Sequence, residues 1–135
     1  MFQKPCLSLD EAKTIAAAAV AEAAKNGWTV VVAIVDDGAH LMYLERMDGT
    51  QKASSVIAVE KAKTAILFKR PSLALENAVA GGRLAILSLP GVTPVEGGLP
   101  IVAEGEFAGA VGVSGMQSAQ DGIVAAAGLA ALKLG

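Results

Sequence analysis

The stretch Trp28-Thr29-Val30-Val31-Val32-Ala33-Ile34-Val35 is an apolar, largely β-branched run, and Asp36-Asp37-Gly38-Ala39 follows it directly. β-Branched side chains favour a pleated backbone. A strand without polar alternation is covered on both faces. Asp37-Gly38 predicts a two-residue hairpin turn with positive φ at both central positions. The return strand then spans about His40 to Arg46. It sets His40, Met42, Leu44 and Arg46 on one face and Leu41, Tyr43 and Glu45 on the other.

Working outward, Ser8-Leu9-Asp10-Glu11 reads as a capping box that starts a helix from about Leu9 to Lys25. Its apolar face carries Ala12, Ala16, Ala19, Val20 and Ala23, and Asn26-Gly27 stops it. Beyond the hairpin, Met47-Asp48-Gly49-Thr50 is a loop, and a second helix spans roughly Lys52 to Phe68, ending before Pro71. That helix is apolar nearly all round, so it packs on the sheet and on something else. A shorter helix begins at Ser72 and ends near Gly81-Gly82. Leu84 to Gly97 is broken into turns by Pro90-Gly91 and Pro94. Strands follow at Leu99 to Ala103 and Glu106 to Ser114, joined by a tight Glu104-Gly105 turn. Ser118-Ala119-Gln120-Asp121 reads as a second capping box, opening a last helix to about Lys133. The small face Ala108, Ala110, Gly112, Ser114 is expected to admit this last helix closely. Helices covering an antiparallel sheet make an α+β fold, with residues 1–135 as a single domain.

At 135 residues the chain is long enough for one core without metal or disulfide support. Hydrophobic residues are 53% and charged residues 18%, which excludes a disordered chain. Mean hydropathy of +0.53 points to apolar surface covered in an oligomer. A net charge of −2 supplies no basic field for nucleic acid or an anionic membrane. The longest apolar run, Gly122 to Leu132, is short of the roughly 20 residues that span a bilayer. Met1-Phe2-Gln3-Lys4-Pro5 lacks the order of a signal peptide, so a cytoplasmic location is expected. A lone cysteine, Cys6, makes no internal disulfide, and a lone histidine excludes His-pair metal motifs.

That histidine, His40, follows the hairpin turn. Imidazole is the natural axial donor to haem iron, although a lone histidine is more often a surface residue. Met42, Tyr43 and Met47 are further iron donors by type, each better explained by packing. Arg46 and Asp48 flank the hairpin's end. They read as a bracing pair, or Arg46 as a clamp for a carboxylate. Lys61 lies at the edge of the second helix's apolar arc. It snorkels to solvent in the simplest reading and serves as a base or imine former in the sharper one. Asp36 and Asp37 are explained by turn chemistry. Gly97-Gly98 and Ser114-Gly115 bare the backbone beside Lys61, where a flat or small ligand fits. The free amides from Ser118 to Asp121, including Gln120, suit an anion, and Asp121 opposes one.

Taken in order, Asp36…Gly38-Ala39-His40…Arg46-Met47-Asp48, Lys61-Ala62-Lys63-Thr64-Ala65, Glu96-Gly97-Gly98-Leu99-Pro100, Gly109 to Gly115 and Ala119-Gln120-Asp121 resemble the GlcG/HbpS-like family. The resemblance covers essentially the whole chain, with the glycolate-operon branch nearest. It implies a profilin-like three-layer α/β/α fold with a five-stranded antiparallel sheet. It also implies homo-oligomers, as dimers, tetramers or octamers, and haem binding in some relatives, without an assigned activity in most. Ala39 and Met116 depart from glycines common in relatives.

The reading is therefore a non-catalytic, oligomeric small-ligand-binding protein. Its expected site is His40, Arg46, Asp48, Lys61, Gly97, Gly98, Ser114, Gly115, Gln120 and Asp121. Haem is the first ligand to consider, with His40 on iron, and a small organic acid the second. The rival is an enzyme or accessory protein of small hydroxy- or oxo-acid metabolism, with Lys61 as base.

Overall fold

The computed structural model describes residues 1–132. In chain order it contains α1 (Leu9–Lys25), β1 (Val31–Asp36), β2 (Leu41–Arg46), α2 (Ser54–Leu67), α3 (Ser72–Ala80), a 3₁₀ helix (Leu84–Ser88), β3 (Gly98–Ala103), β4 (Glu106–Ser114) and α4 (Ser118–Ala130). The strands form one antiparallel sheet of order β2-β1-β4-β3. The sheet therefore has four strands among the described residues, not the five expected. The segment from Leu84 to Gly97 supplies a 3₁₀ turn and irregular backbone, with no further strand. The expected end of α4 at Lys133 lies outside the described residues.

β1 occupies an inner position, and its pleat explains the unbroken apolar run. Val30, Val32 and Ile34 face α1 and α4, together with Ile101, Val111, Val113 and Val124. Val31, Ala33 and Val35 face the other way, where Ala58, Ala62, Ala65 and Ile66 of α2 cover them. Each side of the sheet thus buries its own apolar cluster, which is the three-layer arrangement. α1 begins at the predicted capping box: Ser8 Oγ accepts from the Glu11 amide at 3.1 Å, and Glu11 accepts from the Ser8 amide at 2.8 Å.

Small residues settle which helix comes closest to the sheet. A Cβ at Gly112 would collide with the Ala58 carbonyl oxygen and sit 2.6 Å from the Ala62 nitrogen. The small face of β4 therefore admits α2, not the last helix as the sequence suggested. Ser114 on the same face donates to Ser54 Oγ at 3.0 Å. α4 uses its own glycine elsewhere: Gly128 crosses α1, where a Cβ would stand 2.8 Å from the Ile15 oxygen.

The second hairpin closes as expected, and the first does not. Glu104 and Gly105 both have positive φ, 53° and 77°, and close β3 onto β4 as a two-residue turn. At the first hairpin only Ala39 is left-handed, with φ 67°. The Ala39 amide donates to the Asp36 oxygen at 3.1 Å, and the Asp36 amide to the His40 oxygen at 2.9 Å. The loop is thus Asp37-Gly38-Ala39, three residues ending in a left-handed position. One residue further on, register slips between Ile34 and Val35, so Met42 and Tyr43 both pack on the α1 side.

Gly112→Ala is expected to destabilise the protein by about 3 kcal/mol, because a helix backbone has to move. Ala39→Val should cost about 1–2 kcal/mol, since a β-branched residue resists the left-handed region. Urea unfolding midpoints measure both.

Candidate functional site

The residues named from the sequence separate into two groups at opposite ends of the sheet. Asp36 pairs with Gly109, whereas Val31 pairs with Ser114, five residues along β4. At the rise of an antiparallel strand that is about 17 Å. His40 belongs to the Asp36 end. Ser114, Gly115, Gly97, Gly98, Lys61 and Asp121 belong to the other. Arg46, which pairs with Val31, joins that second end from β2.

At the second end, Lys61 leaves α2 and passes the start of β3. Its side chain is 2% exposed, and its Nζ donates to the Val113 oxygen at 3.0 Å and to Asp121 Oδ2 at 3.1 Å. The snorkelling geometry expected for this lysine is therefore replaced by an enclosed ion pair. Asp121 reaches it from the first turn of α4, so the pair ties the two helical layers together around the end of the sheet. The other Asp121 oxygen, Oδ1, accepts from the Met116 amide at 3.0 Å. The capping role predicted for Ser118 and Asp121 passes to Gln120, whose Oε1 accepts from the Gln117 amide at 3.2 Å.

The bare glycines are occupied by this same arrangement. A Cβ at Gly97 would stand 2.9 Å from both Lys61 Cδ and Nζ, and one at Gly98 would strike the Lys61 carbonyl oxygen. Ser72 closes the remaining gap: it donates to the Val95 oxygen at 2.6 Å and accepts from the Gly98 amide at 2.9 Å. A Cβ at Gly115 would stand 2.8 Å from Val30 Cα and 3.2 Å from Thr50 Cγ2. Among the described residues, no buried side-chain nitrogen or oxygen here lacks a partner. Ser72, Ser54 and Thr50 were not singled out from the sequence, since buried serines and threonines carry no spacing signal. Arg46 and Asp48 are both exposed, and no ion pair joins them among the described residues.

Burial pushes the Asp121 carboxyl above its ordinary value near 3.8, against the pull of the Met116 amide and the Lys61 ammonium. A raised folded value means the folded state holds the proton more tightly than the unfolded chain does. The Asp121 contribution to stability is therefore complete below that ordinary value and is lost as pH rises through the elevated one.

At the first end, His40 is presented outward. Its side chain is 79% exposed, and its Nδ1 lies 3.1 Å from Asp36 Oδ1. Asp36 Oδ1 also accepts the Gly38 and His40 backbone amides, each at 2.9 Å. Partial burial pulls the Asp36 carboxyl upward, but these two amides and the imidazole outweigh it and hold it below the ordinary range. Lys4 bridges the neighbouring Asp37 at 3.1 Å and also donates to the Phe107 oxygen. A cavity of about 470 Å³ lies beside Lys4, lined by Gln3, Lys4, Pro5, Glu104 and Glu106. Its two glutamates make it a poor match for an acid. Met42, Tyr43 and Met47 pack against the α1-side core. The described residues contain no cluster of three or more histidine, cysteine or acidic side chains able to hold a metal ion.

Residues 7–130 match the family described as "Haem degrading protein HbpS-like". The chain belongs to that family. It is 46% identical over 114 residues to Protein GlcG of Escherichia coli K12, covering 84% of this chain and 85% of the relative. Its fold superposes on a double mutant of Streptomyces reticuli HbpS with a TM-score of 0.91 and 33% identity, over 98% of this chain and 90% of that one. It superposes on the protein of a PduOC–haem complex with a TM-score of 0.88 and 30% identity, over 97% and 98% of the two chains.

Lys61→Met leaves Asp121 buried without its cation and is expected to cost about 3–5 kcal/mol in urea unfolding at pH 7. Lys61→Met/Asp121→Asn should recover most of that loss, because asparagine keeps an acceptor for Met116 without a charge. Measured from pH 4 to pH 7, wild type should lose stability relative to Asp121→Asn as pH rises.

Proposed function

We propose that this protein is an oligomeric haem-binding protein, without catalytic activity of its own, in which His40 would hold the iron. The observation that carries this reading is the pose of His40: a ring open to solvent, anchored at Nδ1 and with Nε2 directed away from that anchor. An exposed imidazole with one nitrogen held by a carboxylate has the donor chemistry of a metal-ligating histidine. The family and the haem complex of a structural relative support the same ligand. Bound haem supplies redox and oxygen chemistry; the chain holds and orients it. The small-acid alternative rests on fewer groups, because Lys61 is committed to Asp121 and of the two expected cations Arg46 alone is exposed. Lys61 as an enzymatic base is supported less still, since its amine is closed off from any substrate.

Self-association is part of this reading. Between Gly81 and Gly91 the only charged residue is Arg83, and only Ile86 is buried. Leu84, Leu87 and Leu89 are 65%, 57% and 43% exposed. In a 3₁₀ helix positions i and i+3 eclipse, so Leu84 and Leu87 share one face. Leu67, 52% exposed, lies next to Gly91 on α2 and extends the patch. These four leucines present on the order of 400 Å², the size of the largest apolar patch on a typical monomer, which is often functional. A patch without charge patterning suits an identical patch on a second copy of the chain. No helix among the described residues is long and apolar enough to cross a membrane. We place the protein in the cytoplasm, where the exposed, unpaired Cys6 stays reduced.

Hemin added to wild type should give a Soret band shifted from that of free hemin, and His40→Ala should lose that shift. A wild-type spectrum identical to free hemin sinks the haem reading. Leu84→Glu/Leu87→Glu should lower the mass measured by light scattering to a smaller assembly; an unchanged mass rejects this surface.

A further inference from the structure

Asp36 does more at the hairpin than close a turn. Its Oδ1 gathers the Gly38 and His40 amides, and the His40 ring stacks both carboxylate oxygens against Nδ1, at 3.1 Å and 3.2 Å. An ionised carboxylate accepts hydrogen bonds and donates none. The proton of a neutral His40 ring therefore belongs on Nδ1, and the lone pair belongs on Nε2, the nitrogen away from the turn.

We propose that Asp36 is a positioning residue that fixes the tautomer and direction of His40, so that Nε2 faces outward as a ready donor for haem iron. The proposal rests on the haem reading for its ligand and on the hairpin geometry for its chemistry. Three features of the loop make the arrangement local and rigid. Both backbone amides anchor the carboxylate independently of the ring. Ala39 holds a left-handed conformation that turns His40 back over Asp36. A Cβ on Gly38 would stand 2.8 Å from His40 Cε1 and 2.9 Å from Nδ1, so glycine there gives the ring its place.

The isosteric variant Asp36→Asn separates this role from turn formation. Asparagine keeps Oδ1 for the Gly38 and His40 amides, so the loop is retained. It loses the charge that holds the proton on Nδ1, and its amino group, in place of the Oδ2 that lies 3.2 Å from Nδ1, competes there as a donor, so the bias toward an outward lone pair weakens. Long-range proton–nitrogen NMR at pH 8.5 on ligand-free protein reads the tautomer of the only histidine. Wild type should show the Nδ1–H form, and Asp36→Asn a larger share of the Nε2–H form. Hemin titration should then show affinity about tenfold weaker for Asp36→Asn.

A wild-type ring in the Nε2–H form overturns the proposal, however hemin behaves. So does an Asp36→Asn protein whose share of the Nε2–H form does not rise. If Asp36→Asn raises the share of the Nε2–H form yet binds hemin as wild type does, while His40→Ala does not, the positioning role falls and the haem reading stands. If His40→Ala binds hemin with the wild-type spectrum, the ligand role of His40 falls and takes the proposal with it.

Discussion

An ammonium and a carboxylate meet around the open end of the sheet, and much of the architecture follows from allowing them to. Lys61 belongs to one helical layer and Asp121 to the other, and their 3.1 Å contact is sealed from solvent. Two charges removed from water are costly unless every remaining donor and acceptor is engaged. The Val113 oxygen and the Met116 amide answer much of that demand. The lysine stem needs a passage free of side chains, which explains glycine at position 97, where φ of 134° also excludes other residues. Gly98 and Gly112 then let the α2 backbone settle close enough for the lysine to reach.

This economy of space also explains which features were legible in the sequence. The β1 run, the α1 capping box and the Glu104-Gly105 turn depend on local chemistry, and each stands within a few residues of its expected place. The glycines were legible as places of close approach, but what approaches was not. A small-residue stripe says that a backbone comes near without saying whose. Assigning it to the last helix followed from that helix being rich in alanine and glycine, whereas α2 offers Ala58 and Ala62 at the right separation. The Lys61 partner lies 60 residues away, beyond any periodicity. A five-stranded sheet came from family resemblance, not from the residues, and the region after Gly82 has too many prolines and glycines to extend it.

The candidate site shows the same division. His40 was visible as a solitary imidazole after a turn, and Asp36 as a turn former. Their pairing was not, because an assumed two-residue loop misplaces the ring. Only the three-residue loop with Ala39 left-handed folds position 40 back over position 36. The distant group, from Arg46 to Asp121, was joined to His40 through shared chemistry. Register separates them, because Asp36 and Val31 sit at opposite ends of one strand.

That separation has a consequence for how such a scaffold diversifies. The hydrogen bonds that shape the His40 tip run between residues 36 and 40, while the clasp that unites the layers lies at the far rim. Point changes at the exposed His40 ring therefore leave every contact of the Lys61–Asp121 clasp in place. A scaffold built this way can vary its tip without rebuilding the joint between its layers.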